Sequence, residues 1–511
     1  MVTNQRKAGA VLSYISLVVN AVVSFVYVPI LLGSLSTSEY GVYELIGSVI
    51  AYLSVMDAGL STTLSRFYVS TSVSGGKREV ENLLAMTKII YLALTAVAVA
   101  AGVGVYWAID PLFGASFTST ELDLARQMMV LVIVNCAIVL PGNWFLAIIN
   151  AEERFVFARA LSIVKYALQV LAVVAVLQFR SSAMAVLAVQ VAVNALGIAA
   201  YALYVKGRLR VRGKLHRWDW RLAGSLFSFS FFILLGMVFD QIFWKTGQVV
   251  LGAVMGASSV AVYGIACKVI TAAYMQVSTG VTSVFLPKLT AISAKTAGME
   301  EINELFFRLG HIQAIMVWGL CAAFAAVGAD FIFLWAGSEF NEAYPAVSVL
   351  MIGLSVPLVE NLGISILQAK NKMEFRSAAL GIAAILDLVL SIPAAKYYGV
   401  VGCAFVTAAV LLICNGPIMN WYYARFVGIE IRKFWKSVFP LLVPAILAST
   451  ATAVLGQLVI VGCSWPAFFA KSIAFVAIYF AMLWLGWLNG YEKSLLKSMA
   501  SRIGALVHSR S

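Results

Sequence analysis

Residues 184–205 read MAVLAVQVAVNALGIAAYALYV, and residues 206–221 continue as KGRLRVRGKLHRWDWR. The first stretch has the roughly 20 apolar residues that an α-helix needs to cross the hydrocarbon core of a bilayer. The second stretch is the only long basic connector of the chain, and cationic loops collect on the cytoplasmic side of membranes. Its Trp218 and Trp220 are expected at the headgroup interface. Together the two stretches predict a membrane-crossing helix that returns the chain to the cytoplasm.

Apolar runs of this length recur along nearly the whole chain. Of its 511 residues, 62% are hydrophobic and 12% are charged, a composition too apolar for a water-soluble domain. About fourteen runs predict an all-α polytopic membrane protein with about 14 transmembrane helices. They span residues 9–32, 40–68, 83–108, 124–149, 159–178, 184–205, 222–250, 259–287, 306–329, 344–367, 377–395, 401–423, 438–460 and 466–488. The first run follows Arg6 and Lys7 as a secretion signal would, but its length favours a retained helix.

The charges in the loops give an independent test of this map. Loops on one side are rich in Lys and Arg, whereas those on the other side carry Asp and Glu and, as basic residues, almost only Arg180 and Lys396. The positive-inside rule predicts that both termini are cytoplasmic. Topology explains the formal net charge of +13, so no nucleic-acid partner is expected.

Cysteine and histidine patterns indicate neither a metal site nor disulfide bonds. The six cysteines contain no CxxC pair, and the three histidines form no HExxH motif. The sequence therefore predicts no metal site, no catalytic residue and no bound cofactor.

Two parts of the chain about 220 residues apart look alike. The matched positions are Ser38, Val42, Tyr43, Val49 and Ile50 with Ser258, Val262, Tyr263, Val269 and Ile270. A duplication of six helices predicts such matches, and chance similarity between apolar helices is the alternative. Because six is even, the two six-helix bundles are expected to be related by a pseudo-two-fold axis along the membrane normal.

The predicted domains follow from this duplication. Residues 1–205 form an N-terminal six-helix bundle, 206–221 the basic cytoplasmic linker, and 222–423 a C-terminal six-helix bundle. Residues 424–488 add helices 13 and 14, and residues 489–511 form a cytoplasmic amphipathic tail.

Five segments carry a resemblance to a known family. They are SEYGVY at 38–43, YLSVMDAGLSTTLSRF at 52–67, VAVYGIACKV at 260–269, FLWAGSEFNEAYP at 333–345 and QAKNKMEFR at 368–376. In their order and spacing the chain resembles the bacterial polysaccharide and O-antigen flippases of the multidrug/oligosaccharidyl-lipid/polysaccharide exporter superfamily. The resemblance implies two bundles around a central cavity, and a transporter that is not an enzyme. It also implies ion-coupled transfer of undecaprenyl-diphosphate-linked oligosaccharide from the cytoplasmic to the periplasmic leaflet of a bacterial inner membrane. Membrane lipids and polysaccharide polymerase machinery are the implied partners.

Charged residues inside the predicted helices are the candidate site residues. A charge at the bilayer centre costs roughly 2.5–3.5 kcal/mol on insertion scales, so it usually faces a cavity or a partner. Arg66, Lys245 and Lys268 are predicted to bind the diphosphate, because cations can replace part of its water. Their alternatives are snorkelling to the interface or a structural ion pair. Three carboxylates are predicted to carry a coupling proton or Na+: Asp57, Asp240 and Asp387.

Two other functions stay open at this point. A multidrug exporter of the same superfamily would prefer an apolar or acidic cavity. A membrane glycan polymerase or ligase usually has a large external loop with catalytic polar residues, whereas the external loops here are short. The sequence leaves the glycan, the coupling ion, the transport direction and the oligomeric state open.

Overall fold

A computed structural model describes residues 12, 19, 22–74, 76–278, 280, 299–370 and 372–494. Helices dominate these residues, and no strand is found among them. The all-helical membrane fold predicted from the sequence is confirmed. Residues 495–511 of the predicted tail lie outside the described residues. About half of the predicted first helix, 9–32, lies outside them as well.

The helices are numbered in chain order. They are α1 (Val22–Leu32), α2 (Thr37–Ser74), α3 (Lys77–Phe113), α4 (Ser119–Ala151), α5 (Phe155–Phe179), α6 (Ala183–Tyr204), α7 (Trp220–Met255), α8 (Ala257–Val269), α9 (Met299–Ala336), α10 (Ala343–Val359), α11 (Asn361–Ala369), α12 (Glu374–Ile413), α13 (Ile431–Val438), α14 (Leu442–Leu458) and α15 (Trp465–Met482). π-helical turns extend α6, α8 and α15, at Val205–Leu209, Ile270–Tyr274 and Leu483–Trp487. Helical structure also continues from α12 to Val427.

Ten helices in the described part of the chain are long and apolar enough to cross a membrane, or eleven if α10 and α11 count as one span bent by 41°. Two predicted helices, 377–395 and 401–423, fall within the helical stretch Glu374–Val427. Gly399, with φ 63° and ψ −145°, forms a kink that separates the two helices. Because parts of other predicted spans lie outside the described residues, the number fourteen stays a prediction.

Contacts divide the chain into two units. Unit 1 comprises Met1–Ile265 and Ala384–Cys403, and α2 packs along α4 and α7 within it. Close packing there depends on small residues, as is usual between membrane helices. A Cβ atom at Gly41 of α2 would lie 1.8 Å from the carbonyl oxygen of Ala257, at the start of α8. The two backbones are therefore in direct contact.

Unit 2 comprises Ala266–Ala383 and Ala404–Ser511, and α9 is its central helix, packed on α10, α14 and α15. Gly319 of α9 leaves room for the ring of Tyr479, which a Cβ atom would approach to 2.7 Å. The Tyr479 hydroxyl donates to the carbonyl oxygen of Ile315 at 2.8 Å. The predicted domain boundaries stay predictions.

The loop between α14 and α15 offers a test of the predicted topology, which places this loop in the periplasm. Its Cys463 is exposed, whereas the other five cysteines are buried or half-buried. Desolvation and the nearby Asp330 carboxylate raise the pKa of the Cys463 thiol, so labelling should be run under mildly alkaline conditions. We expect a membrane-impermeant maleimide to label right-side-out vesicles at Cys463, and a Cys463→Ser variant to stay unlabelled. Labelling only after the membrane is permeabilised would reverse the predicted orientation.

Candidate functional site

A row of polar side chains runs along α2 in unit 1. Tyr40, Glu44, Ser48 and Tyr52 recur every four residues, and positions i and i+4 of an α-helix lie on the same side. Tyr40 and Ser48 are fully buried, Glu44 is 6% exposed, and Tyr52 is half-buried. We call these four residues the α2 polar row. A buried carboxylate within a membrane-crossing helix is a candidate functional group by default.

Helix α7 supplies the partners of this row. The Gln248 side chain is fully buried, and its Nε2 donates to Oε2 of Glu44 at 3.5 Å. Its Oε1 accepts from Oγ of Ser48 and, at 3.4 Å, from Nζ of Lys245. One amide therefore connects an acidic and a basic side chain inside the unit.

At the Tyr52 end of the α2 polar row, hydroxyl groups contact α7. The Tyr52 hydroxyl lies 3.2 Å from Oγ1 of Thr246, which is buried. Asp387 of α12 is fully buried and lies within the range of electrostatic interaction with Tyr52. Asp387, one of the three predicted coupling carboxylates, thus lies near the row.

Two glycines allow the helices to approach the buried polar groups. A Cβ atom at Gly264 of α8 would lie 2.9 Å from Cγ of Glu44. At Gly247 of α7, a Cβ atom would lie 2.7 Å from the ring of Tyr263. A side chain at Gly264 would push α8 away from Glu44, and one at Gly247 would push α7 away from Tyr263 of α8. Both close contacts therefore need glycine.

Asp57 lies on a different side of α2. Thirteen residues separate it from Glu44, which places the two carboxylates about 140° apart around the helix axis. Nδ2 of Asn143 on α4 donates to Oδ2 of Asp57 at 2.6 Å, and Tyr91 of α3 lies beside the same carboxyl group. Asp57 is therefore a second, separate polar position.

The remaining predicted site residues are spread more widely. Arg66 and Asp240 are exposed, and Lys268 is half-buried in unit 2. Lys245 contacts the amide of Gln248, which in turn contacts the α2 polar row. The roles of all six predicted residues stay predictions. Within the described ranges, no group of three or more His, Cys, Asp and Glu side chains could hold a metal ion.

Glu44 was missed by the sequence reasoning. It lies near the start of the predicted helix at 40–68, where a charge is expected to reach the interface, whereas α2 begins at Thr37. The available signal was the four-residue spacing of polar side chains from Tyr40 to Tyr52.

Unit 2 has a buried carboxylate of its own, at the bend between α10 and α11. Glu360 is 3% exposed, and Nε1 of Trp435 donates to its Oε1 at 2.9 Å. Beyond the other end of α11, Lys370 and Lys372 donate to the carbonyl oxygens of Val427 and Phe426, at 3.1 and 2.8 Å. Burial, followed by the charge of Lys372, lowers the pKa of Lys370. These lysines stabilise the end of a helical segment, where cations favour the helix dipole.

The chain is similar in sequence to known proteins. The family model described as "Polysaccharide biosynthesis protein" matches residues 7–293. The teichuronic acid biosynthesis protein TuaB of Bacillus subtilis is 24% identical over 239 residues, which cover 46% of this chain and 48% of that protein. The probable low-salt glycan biosynthesis flippase Agl15 of Haloferax volcanii is 23% identical over 254 residues, with 48% and 52% covered. The chain thus spans about half the length of these curated relatives.

Two solved structures share the fold. The lipid II flippase MurJ, in an inward closed conformation, has a TM-score of 0.71 at 14% identity, covering 93% of this chain and 97% of that one. An inward-facing multidrug resistance transporter of the MATE family has a TM-score of 0.66 at 16% identity, with 81% and 95% covered. At these identities the likeness concerns the fold alone.

Proposed function

Because the chain belongs to the polysaccharide biosynthesis protein family, we propose that it is a flippase for a lipid-linked glycan and not an enzyme. Its substrate is an undecaprenyl-diphosphate-linked oligosaccharide, which passes from the cytoplasmic to the periplasmic leaflet for assembly of a cell-surface polysaccharide. Membrane lipids and polysaccharide polymerase machinery are its partners. The names of the relatives TuaB and Agl15 support the class of substrate.

The contact between Lys245 and Gln248 is the observation that carries this proposal. Lys245 is half-buried in α7, and its hydrogen bond goes to a neutral amide oxygen. An amide does not neutralise the ammonium charge, so the charge remains to attract a phosphate group. Glu44, on the other side of the same amide, can take up a proton or Na+ and thereby alter the local field, which is how ion coupling would act on the substrate.

Flipping of a fluorescent lipid-diphosphate oligosaccharide in proteoliposomes tests the proposal. We expect the intact protein to flip this lipid, and a variant with Arg66→Ala, Lys245→Ala and Lys268→Ala to flip it at least tenfold more slowly. The matched control removes three exposed cations, through Arg425→Ala, Lys433→Ala and Lys436→Ala, and should keep most of the activity. Equal losses in both variants, with both still folded, would contradict a cationic substrate site.

A multidrug exporter is the second candidate function, because the buried Glu44 carboxylate also suits an organic cation. The same vesicles distinguish the two functions when they are loaded with ethidium. Ethidium transport by the intact protein, without flipping of the lipid-linked glycan, would favour the exporter. Ethidium retention together with lipid flipping would exclude it.

A further inference from the structure

The linker between α6 and α7 has an ordered arrangement of cations. A π-helical turn ends at Leu209, and Arg210 adopts a left-handed conformation with φ 54°. Leu209 and Val211 pack against the buried core of unit 1, whereas Arg208, Arg210, Arg212 and Lys214 are exposed. From Arg210 to Lys214 the chain is neither helix nor strand. We call residues 208–217 the basic ribbon.

The ribbon is held against the first turns of α3. Gly213 lies so close that a Cβ atom there would be 2.9 Å from the backbone nitrogen of Ala85. The Lys214 N–H donates to the carbonyl oxygen of Glu81 at 3.1 Å. Since a side chain at position 213 would collide with the α3 backbone, this glycine is what allows the chain to lie flat on the helix.

Asn82 and Glu81 of α3 hold the ribbon at a second place, near His216. Oδ1 of Asn82 accepts from the backbone N–H of His216 at 2.9 Å and from that of Arg217 at 3.1 Å. Nε2 of His216 lies 3.0 Å from Oε2 of Glu81. Beyond the ribbon, Oδ1 of Asp219 accepts from the first N–H groups of α7, which holds the chain where the helix begins. The exposed cations therefore project from a fixed backbone.

The charges of the ribbon are largely uncompensated. Asp219 is the only acidic residue between positions 206 and 221, and it lies 3.9 Å from the guanidinium group of Arg217. In the part of the chain that the structure describes, Arg208, Arg210, Arg212 and Lys214 form no ion pair. Trp220, at the start of α7, is 79% exposed and packs edge-on against Trp218. Exposed tryptophans of this kind mark the level of the lipid headgroups.

We propose that the basic ribbon is a binding surface for the phosphate headgroups of anionic phospholipids in the cytoplasmic leaflet. Juxtamembrane cations attract anionic lipid, and a ribbon that is already fixed loses little conformational entropy when lipids bind. The alternation of cations with core-facing Leu209 and Val211 directs the cations to one side, where a row of headgroups can contact them. The inference does not depend on the transported substrate.

Lipid binding to the purified full chain tests the ribbon, with phosphatidylglycerol and phosphatidylcholine as probes in separate titrations. The ribbon variant carries Arg208→Gln, Arg210→Gln, Arg212→Gln and Lys214→Gln. The matched control, with Arg425→Gln, Arg432→Gln, Lys433→Gln and Lys436→Gln, removes four exposed cations from the side also predicted to be cytoplasmic. We expect the affinity for phosphatidylglycerol to fall at least tenfold in the ribbon variant and less than twofold in the control, with phosphatidylcholine binding unchanged. Equal losses in the two variants, or no loss in the ribbon variant, would overturn the proposal.

A variant at Asn82 and competition by inorganic phosphate test the ribbon further. Asn82→Ala removes both hydrogen bonds to the ribbon without changing a charge, and we expect it to weaken phosphatidylglycerol binding several-fold. Unchanged binding in this variant would show that the fixed backbone is irrelevant and would overturn that part of the inference. Inorganic phosphate is the competing soluble ligand: if it displaces phosphatidylglycerol at millimolar concentration while sodium chloride of equal ionic strength does not, the surface binds free phosphate and the lipid assignment is wrong.

Discussion

Replacing Glu44 with Gln is expected to slow flipping of the lipid-linked glycan at least tenfold while the protein stays folded. Glutamine keeps the size of the side chain and its capacity to hydrogen-bond with Gln248, but it can neither carry a negative charge nor exchange a coupling ion. A tenfold loss corresponds to about 1.4 kcal/mol in the barrier. Glu79→Gln, on the exposed first turn of α3, removes the same charge outside the α2 polar row and should leave the rate unchanged.

A double variant separates a transport role of Glu44 from a structural one. If Glu44 and Lys245 serve only to balance each other's charge, Glu44→Gln combined with Lys245→Gln should restore transport, because breaking a buried pair costs more than removing it. We expect the double variant to be folded, by its thermal midpoint, and still inactive. Full transport by the double variant would remove both residues from the transport mechanism.

Replacing Gly41 with Ala is expected to cause a clear loss of stability. The added Cβ atom would lie 1.8 Å from the backbone oxygen of Ala257, and a backbone atom cannot rotate away as a side chain can. Overpacking of this kind typically costs about 1–3 kcal/mol, and displacement of α8 from α2 would also disturb the contact between Gly264 and Glu44. The expected result is a clearly lower thermal midpoint and a smaller monodisperse fraction in size-exclusion chromatography.

Gly47 provides the matched control for this substitution. It lies on the same helix, six residues further along, and a Cβ atom there would meet nothing within 4 Å. Gly47→Ala should leave the thermal midpoint unchanged or raise it, because alanine favours the helix over glycine by roughly 1 kcal/mol. Equal midpoints for the two variants would show that the approach of α2 to α8 is not required for folding.

The membrane-helical fold could be predicted because each spanning helix appears in the sequence as one continuous run of apolar residues. The break between the predicted helices 377–395 and 401–423 agrees with the kink that the structure has at Gly399. For the site, Lys245 was recognisable as an intramembrane cation. Its neighbours were not, since Glu44 and Gln248 are 204 residues apart and only tertiary packing brings them together.

Because of its four-residue spacing, the α2 polar row winds slowly around the helix axis. An α-helix turns about 100° and rises about 1.5 Å per residue, so each four-residue step advances about 6 Å and rotates about 40°. Tyr40 and Tyr52, the two ends of the row, therefore point in directions about 120° apart. The partners of the row follow it around the helix: Gln248 contacts Glu44 and Ser48, and Thr246 contacts Tyr52.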